Sequence, residues 1–132
     1  MKCAILAVGT ELLFGHTVNT NAVYLSRQLN SMGIDVLYHY AVGDNPDRLK
    51  ELLHQALKDC DLVITTGGMG PTQDDLTKEV VCQVQQDQLQ EHAPSMERLL
   101  RHFQKRKRPM TENNKKQALL PSRAIVFDNN HG

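Results

Sequence analysis

The chain has 132 residues, 40% of them apolar, which is the size of one domain able to bury a core without a disulfide or metal staple. Fifteen Lys and Arg balance fifteen Asp and Glu, so no net field draws the chain to DNA, RNA or an anionic membrane. Aromatic residues make up 5% and Trp is absent, which argues against a stacking platform for single-stranded nucleic acid.

In chain order, Cys3 to Val8 is a short apolar run ending at Gly9, as a strand buried on both faces reads. The opening stretch is too short to span a membrane, Glu11 interrupts it, and no cleavage site of a signal peptide follows. A polar loop runs on through Gly15. A helix is predicted from an Asn19 cap, with Val18 and Val23 spaced as a staple across it and Ala22, Leu25, Leu29 and Met32 on one face. Gly33 stops it.

Ile34 to Val42 is the second predicted strand, broken by Gly43 and Asp44. Asn45-Pro46 starts a second helix as cap and first helical position, with Leu49, Leu52, Leu53, Ala56 and Leu57 inward. Asp61 to Thr65 is the third strand. A third helix is predicted from Asp74 or Asp75, with Leu76, Val80, Val81 and Val84 inward, and Gln83 to Gln90 as its solvated end and a loop. Pro94 opens a fourth helix, with Met96, Leu99, Leu100 and Phe103 on one side. Thr111 caps a short fifth helix through Ala118. Ala124 to Phe127 is the last predicted strand, followed by a loop through Gly132. Strand alternating with helix predicts right-handed crossovers, a parallel sheet, and ligands beyond the carboxyl ends of its strands. Cys3, Cys60 and Cys82 form no CxxC pair and read as small buried hydrophobes in a reducing cytosol, so the chain is expected to be cytoplasmic.

The strongest local signal follows the third strand, in Thr65-Thr66-Gly67-Gly68-Met69-Gly70-Pro71-Thr72-Gln73-Asp74-Asp75. Glycines there permit positive φ and close approach of a ligand to backbone amides, and Thr66 and Thr72 add hydroxyls. No GK[ST] or GxGxxG occurs. The glycines alone fit a phosphate cradle and a tight strand-to-helix turn equally well. Asp74 and Asp75 favour the cradle, because carboxylates beside a phosphate need a bridging cation, and Mg²⁺ joins one or two carboxylates to phosphates. A helix cap accounts well for one aspartate and poorly for the second. Asp44 ends the second strand and faces the same crevice, or serves only as a turn residue. Glu11 is a metal ligand, an acceptor from ribose or base, or a plain loop residue. Asn19 caps its helix first and contacts ligand second. The basic residues Arg101 and Lys105 to Arg108 read as a solvated helix end.

The segments AVGTELLFGHTVNTN, AVGDN, TTGGMGPTQDDLTKE and MTENNKKQALLP together resemble the amino-terminal domain of the CinA (competence/damage-inducible) family. That domain is related to molybdopterin-binding proteins of molybdenum cofactor synthesis (MogA and MoaB), whose Gly-Gly-x-Gly loop and following Asp match Gly67, Gly68, Gly70 and Asp75, and whose strand-end Asp matches Asp44. The resemblance implies a three-layer α/β/α fold with a mostly parallel sheet, and an assembly of identical chains. It implies a metal-dependent pyrophosphatase that splits ADP-ribose into AMP and ribose 5-phosphate, or else transfer on, or binding of, a pterin. Under it Asp44 and Asp75 are the catalytic candidates. Thr10, Asn19, Asn21, Thr66, Gly67, Gly68, Gly70 and Thr72 are the substrate contacts. Glu11, Asp44, Asp74 and Asp75 hold a divalent cation (magnesium, manganese or cobalt). No nucleic-acid or membrane partner is expected. Nothing in the chain matches the family's deamidase domain. The family continues past the glycine matching Gly132 with a Thr-Ala-Pro-Gly loop, so the chain reads as one truncated domain, 1–132.

Overall fold

A computed structural model describes residues 1–129. Strand β1 (Lys2–Val8) lies between β2 (Asp35–Val42) and β3 (Leu62–Thr66), and both pairings are parallel. Helix α2 (Thr20–Ser31) crosses from β1 to β2, and α3 (Pro46–Asp59) crosses from β2 to β3. Ahead of them, Thr10–Leu13 forms a four-residue helical turn, α1, within the segment read as loop.

The alternation of β1 builds the layers. Cys3 and Ile5 pack against Ala22 and Leu29 of α2. Leu6 and Val8 point the other way, onto Leu49 and Leu53 of α3 and Val80 of α4 (Thr77–Gln85). Ala4 meets Ala56 on that second face. Residues Cys3 to Ala7 are fully buried, in keeping with a strand that carries no polar position after Lys2. The sheet with a helix on one face and two on the other is the expected three-layer α/β fold.

Both asparagine caps form. Asn19 Oδ1 accepts from the Ala22 amide at 3.0 Å, and Asn45 Oδ1 from the Arg48 amide at 3.0 Å. The Val18–Val23 staple does not form in the expected sense, since both side chains stand exposed. Helix α4 begins at Thr77, not at Asp74 or Asp75, because the two aspartates belong to a turn closed by its own side-chain bonds.

Beyond α4 the chain builds a small second sheet. β4 (Leu89–Glu91), which begins in the stretch read as a solvated helix end and loop, pairs antiparallel with β5 (Leu119–Pro121), which follows directly on the segment predicted as the fifth helix. Between them lie α5 (Ala93–Lys105), α6 (Glu112–Lys115) and a 3-10 turn at Lys116–Ala118. Ala124 to Phe127 is not a strand. It has no pairing partner among the described residues, and Ile125 and Phe127 are exposed. Of the loop expected after it, 130–132 lie outside the described residues. The three cysteines are free and buried, with their thiols held above the ordinary range chiefly by burial. Among the described residues no helix is long and apolar enough to cross a membrane.

Candidate functional site

Because all three sheet strands run in parallel, Val8, Val42 and Thr66 end on one edge of the sheet. At the β1 and β2 ends, Thr10 and Asp44 form a reciprocal pair. The Thr10 hydroxyl donates to Asp44 Oδ2 at 2.6 Å and the Thr10 amide at 3.3 Å, while the Asp44 amide donates back to Thr10 Oγ1 at 3.1 Å. Three bonds thus fix two expected site residues that are 34 positions apart.

The β3 end is shaped by close approach. Gly67 takes φ 83 and Gly68 φ 62, both left-handed. A Cβ on Gly67 would stand 2.0 Å from the Val8 carbonyl oxygen, and one on Gly68 would stand 2.2 Å from Thr77 Oγ1. Buried Thr77 donates its hydroxyl to Gly67 O at 2.9 Å and its amide to Gly68 O at 3.1 Å. The glycine carbonyls are therefore turned inward and satisfied. The N–H groups of Gly67, Gly68 and Met69 donate to no acceptor among the described residues. Consecutive free amides of this kind form a concavity for an anion.

The loop then closes on itself. Asp75 Oδ2 accepts from the Thr72 amide at 3.0 Å and, more closely, from the Thr72 hydroxyl. A Cβ on Gly70 would lie 2.7 Å from the same oxygen. The Thr72 hydroxyl, first among the causes, holds the Asp75 carboxyl below the usual carboxylate range. Burial opposes this, and the Gly70 and Thr72 amides and the Lys116 ammonium add to it. Asp74 is exposed and makes no hydrogen bond or ion pair among the described residues.

A cleft of about 140 Å³ opens beside Gly67. Glu11, Asn19, Asn21, Thr66 and Gly67 line it, all of them expected; Thr17 and Thr20 line it too and were not. Thr10, Asp44, Gly68, Gly70, Thr72, Asp74 and Asp75 stand outside its lining. Asn19 Oδ1 is committed to its cap, and the Glu11 carboxylate folds back over Gly9, where a Cβ would meet it at 2.5 Å. Among the described residues no three His, Cys, Asp or Glu side chains converge as metal ligands, so the four expected carboxylates do not form a cage. A larger cleft, about 540 Å³, involves Leu13, Val42, Arg48 and Leu52. It shares α1 and Val42 with the strand-end region but includes none of the expected residues.

Sequence reasoning missed Lys78, Glu79 and Lys116. Lys116 donates from the 3-10 turn to Thr72 O at 3.1 Å and, closer still, to Asp75 O, and it pairs with Glu79 Oε1 at 3.3 Å. Lys78 is buried and donates to Lys116 O at 2.7 Å; burial, the leading cause, lowers its pKa. The signal available was their place inside TTGGMGPTQDDLTKE and MTENNKKQALLP, which meet in space through these contacts.

The family model described as "Probable molybdopterin binding domain" matches residues 4–127. A "Putative competence-damage inducible protein" of Acetivibrio thermocellus is 55% identical over all 132 residues, which make up 32% of that protein. The chain spans about a third of the length of the curated relatives it matches. Among solved structures, the protein CinA, of unknown function, from Thermoplasma acidophilum superposes with a TM-score of 0.86 at 30% identity, covering 99% of this chain and 76% of that one. The molybdopterin biosynthesis enzyme MoaB of Thermus thermophilus shares the fold at a TM-score of 0.61 and 23% identity, over 91% of this chain and 78% of that one.

Proposed function

We propose, from the premise that this chain belongs to the molybdopterin-binding domain family and within it to the CinA proteins, that it binds a nucleotide diphosphate at the loop after β3 and hydrolyses ADP-ribose to AMP and ribose 5-phosphate. The observation that carries this reading is the run of unspent amides at Gly67, Gly68 and Met69, at the carboxyl end of a parallel strand. A cleft of about 140 Å³ suits a sugar or one phosphate group, and the rest of the nucleotide lies across the open loop. Asn21, Thr17, Thr20 and Thr66 offer the hydroxyl and amide groups that a ribose requires.

A divalent cation (magnesium, manganese or cobalt) fits these residues as one that arrives with the diphosphate, because such ions commonly take only one or two protein carboxylates alongside phosphate oxygens. Asp74, free of other bonds, and Asp44, whose Oδ1 is unspent, are the carboxylates open to it. When bound, the cation supplies charge neutralisation at the phosphoryl oxygens. The chain's own part is to seat the diphosphate on the amides, to orient the ribose in the cleft, and to keep Asp75 ionised as the acceptor that closes the loop.

A second reading, binding of or transfer on a molybdopterin, is favoured by the family model and by the MoaB likeness. A nucleotide-binding module without turnover is the third. A cytoplasmic location and an assembly of identical chains belong to all three readings. AMP release from ADP-ribose by the purified chain, with and without a divalent metal, is the deciding assay. Metal-dependent release supports hydrolysis. No release from folded protein, together with calorimetric binding of ADP or of a pterin, replaces it with the corresponding binding reading.

A further inference from the structure

We infer that Lys116 is a positioning residue for the anion-binding loop. Its ammonium, delivered from 41 residues away, holds the segment Thr72–Asp75 in the shape that leaves the Gly67, Gly68 and Met69 amides free for a ligand. The inference rests on the diphosphate reading of that loop and adds the element that maintains it.

An ammonium has three N–H donors and no acceptor. Those of Lys116 meet three oxygens: the carbonyls of Thr72 and Asp75 and the carboxylate of Glu79. The two carbonyls flank Gln73 and Asp74, so one cation ties both ends of the turn that carries the free aspartate. The same turn is already closed by the Thr72 amide and hydroxyl on Asp75 Oδ2 and by the Asp75 amide on Thr72 O at 3.3 Å. Lys116 braces this turn from outside the loop.

The brace is held in return. Lys78, on the first turn of α4, donates to the backbone carbonyl of Lys116. Each of the two segments thus contributes a lysine that grips the other's backbone. Lys78 is 5% exposed and the Lys116 side chain 18%, so two cations are withdrawn from water at one junction. Withdrawing charge is costly unless it is paired and hydrogen-bonded. Glu79 supplies the one opposite charge in direct contact, and its Oε2 is buried with no hydrogen-bond partner among the described residues. A junction that served only to glue α4 to the 3-10 turn would be met more cheaply by apolar side chains. This one places two cations beside a loop that carries three unbonded amides, where added positive potential favours an anion.

The test compares Lys116→Met, which keeps the aliphatic stem, and Lys116→Arg, which keeps the charge, with the unaltered chain. Two readouts are taken: hydrogen exchange of the bonded amides of the turn, Thr72 and Asp75, and binding of ADP and inorganic pyrophosphate by calorimetry in the presence of Mg²⁺. In Lys116→Met, exchange of the Thr72 and Asp75 amides is expected to rise at least tenfold while β1 and α3 stay unchanged. ADP and pyrophosphate affinity is expected to fall roughly tenfold or more, the scale of lost charged hydrogen bonds. Lys116→Arg is expected to recover most of both. Unchanged exchange at Thr72 and Asp75, or retained affinity in Lys116→Met, overturns the proposal. A general rise in exchange across β1 and α3 assigns Lys116 to the fold at large and also overturns it. If the unaltered chain binds neither probe, the diphosphate reading itself fails. If it binds both but releases no AMP, only the hydrolase reading fails and the comparison stands.

Discussion

Replacing Gly67 with Ala tests whether the loop after β3 is set by contact with β1 or merely by flexibility. Two effects act at that position. An alanine at φ 83 bears the strain of a left-handed L-residue, about 1–2 kcal/mol. Its Cβ also lands 2.0 Å from the carbonyl oxygen of Val8, a contact that only a shift of backbone can relieve. Overpacking of this kind adds about 1–3 kcal/mol, for a total of about 2–5 kcal/mol. Gly33 provides the control, because it takes φ 74 and a Cβ there meets nothing within 4 Å. Gly33→Ala is therefore expected to show the strain alone, about 1–2 kcal/mol. Urea unfolding of both variants gives the difference, and ADP binding shows whether the displaced loop still accepts a diphosphate. The reasoning is refuted if Gly67→Ala costs no more than Gly33→Ala.

Three further outcomes follow from the site and its frame. Asp75→Ala leaves the Thr72 amide and hydroxyl without their acceptor, with a stability cost of about 1–3 kcal/mol; AMP release is expected to fall at least a hundredfold, and an equal, small loss of both would return Asp75 to a purely structural role. Asn19→Ala and Asn45→Ala each remove one helix cap and are expected to cost about 0.5–2 kcal/mol in urea unfolding, whereas only Asn19→Ala should weaken ligand affinity. Asp87, bonded first by the Ser122 hydroxyl and then by the Gln88 and Arg123 amides, has its pKa lowered to about 2. Its folded value lies below the unfolded one of roughly 3.9, so its stabilisation is full above that value and fades as pH falls toward 2. Asp87→Asn is expected to flatten the stability profile across that window, with the native carboxyl titration read by NMR.

The main sheet was legible because its signals are local. The run from Cys3 to Val8 is apolar at every position since helices cover both faces, and Asn19 and Asn45-Pro46 mark helix starts by chemistry that acts within three residues. The second, two-stranded sheet was not legible for the converse reason. β4 and β5 have three residues each, too few for alternation to show, and their pairing joins residues about thirty positions apart. Ala124 to Phe127 has the composition of a strand, yet a strand needs a partner that composition cannot supply. Asp74 and Asp75 read as a helix start because aspartates commonly cap; the Thr72 hydroxyl instead draws Asp75 into a turn and delays the helix to Thr77. Of the site, the residue types around the 140 Å³ cleft were mostly foreseeable from the strand ends. The lysines beside the loop were not, since a charge that reaches across 41 positions leaves no trace in periodicity.

The lysine brace also has a meaning for the order in which the protein is made. Synthesis runs at about 5–20 residues per second, and Lys116 follows Asp75 by 41 positions. Translation therefore leaves the glycine loop without its brace for roughly two to eight seconds, although β1, β2 and β3 have all been synthesised by then. The three strands of the sheet thus precede in synthesis the segment that sets the ligand loop, so competence to bind is conferred late, by the segment that arrives with the 3-10 turn.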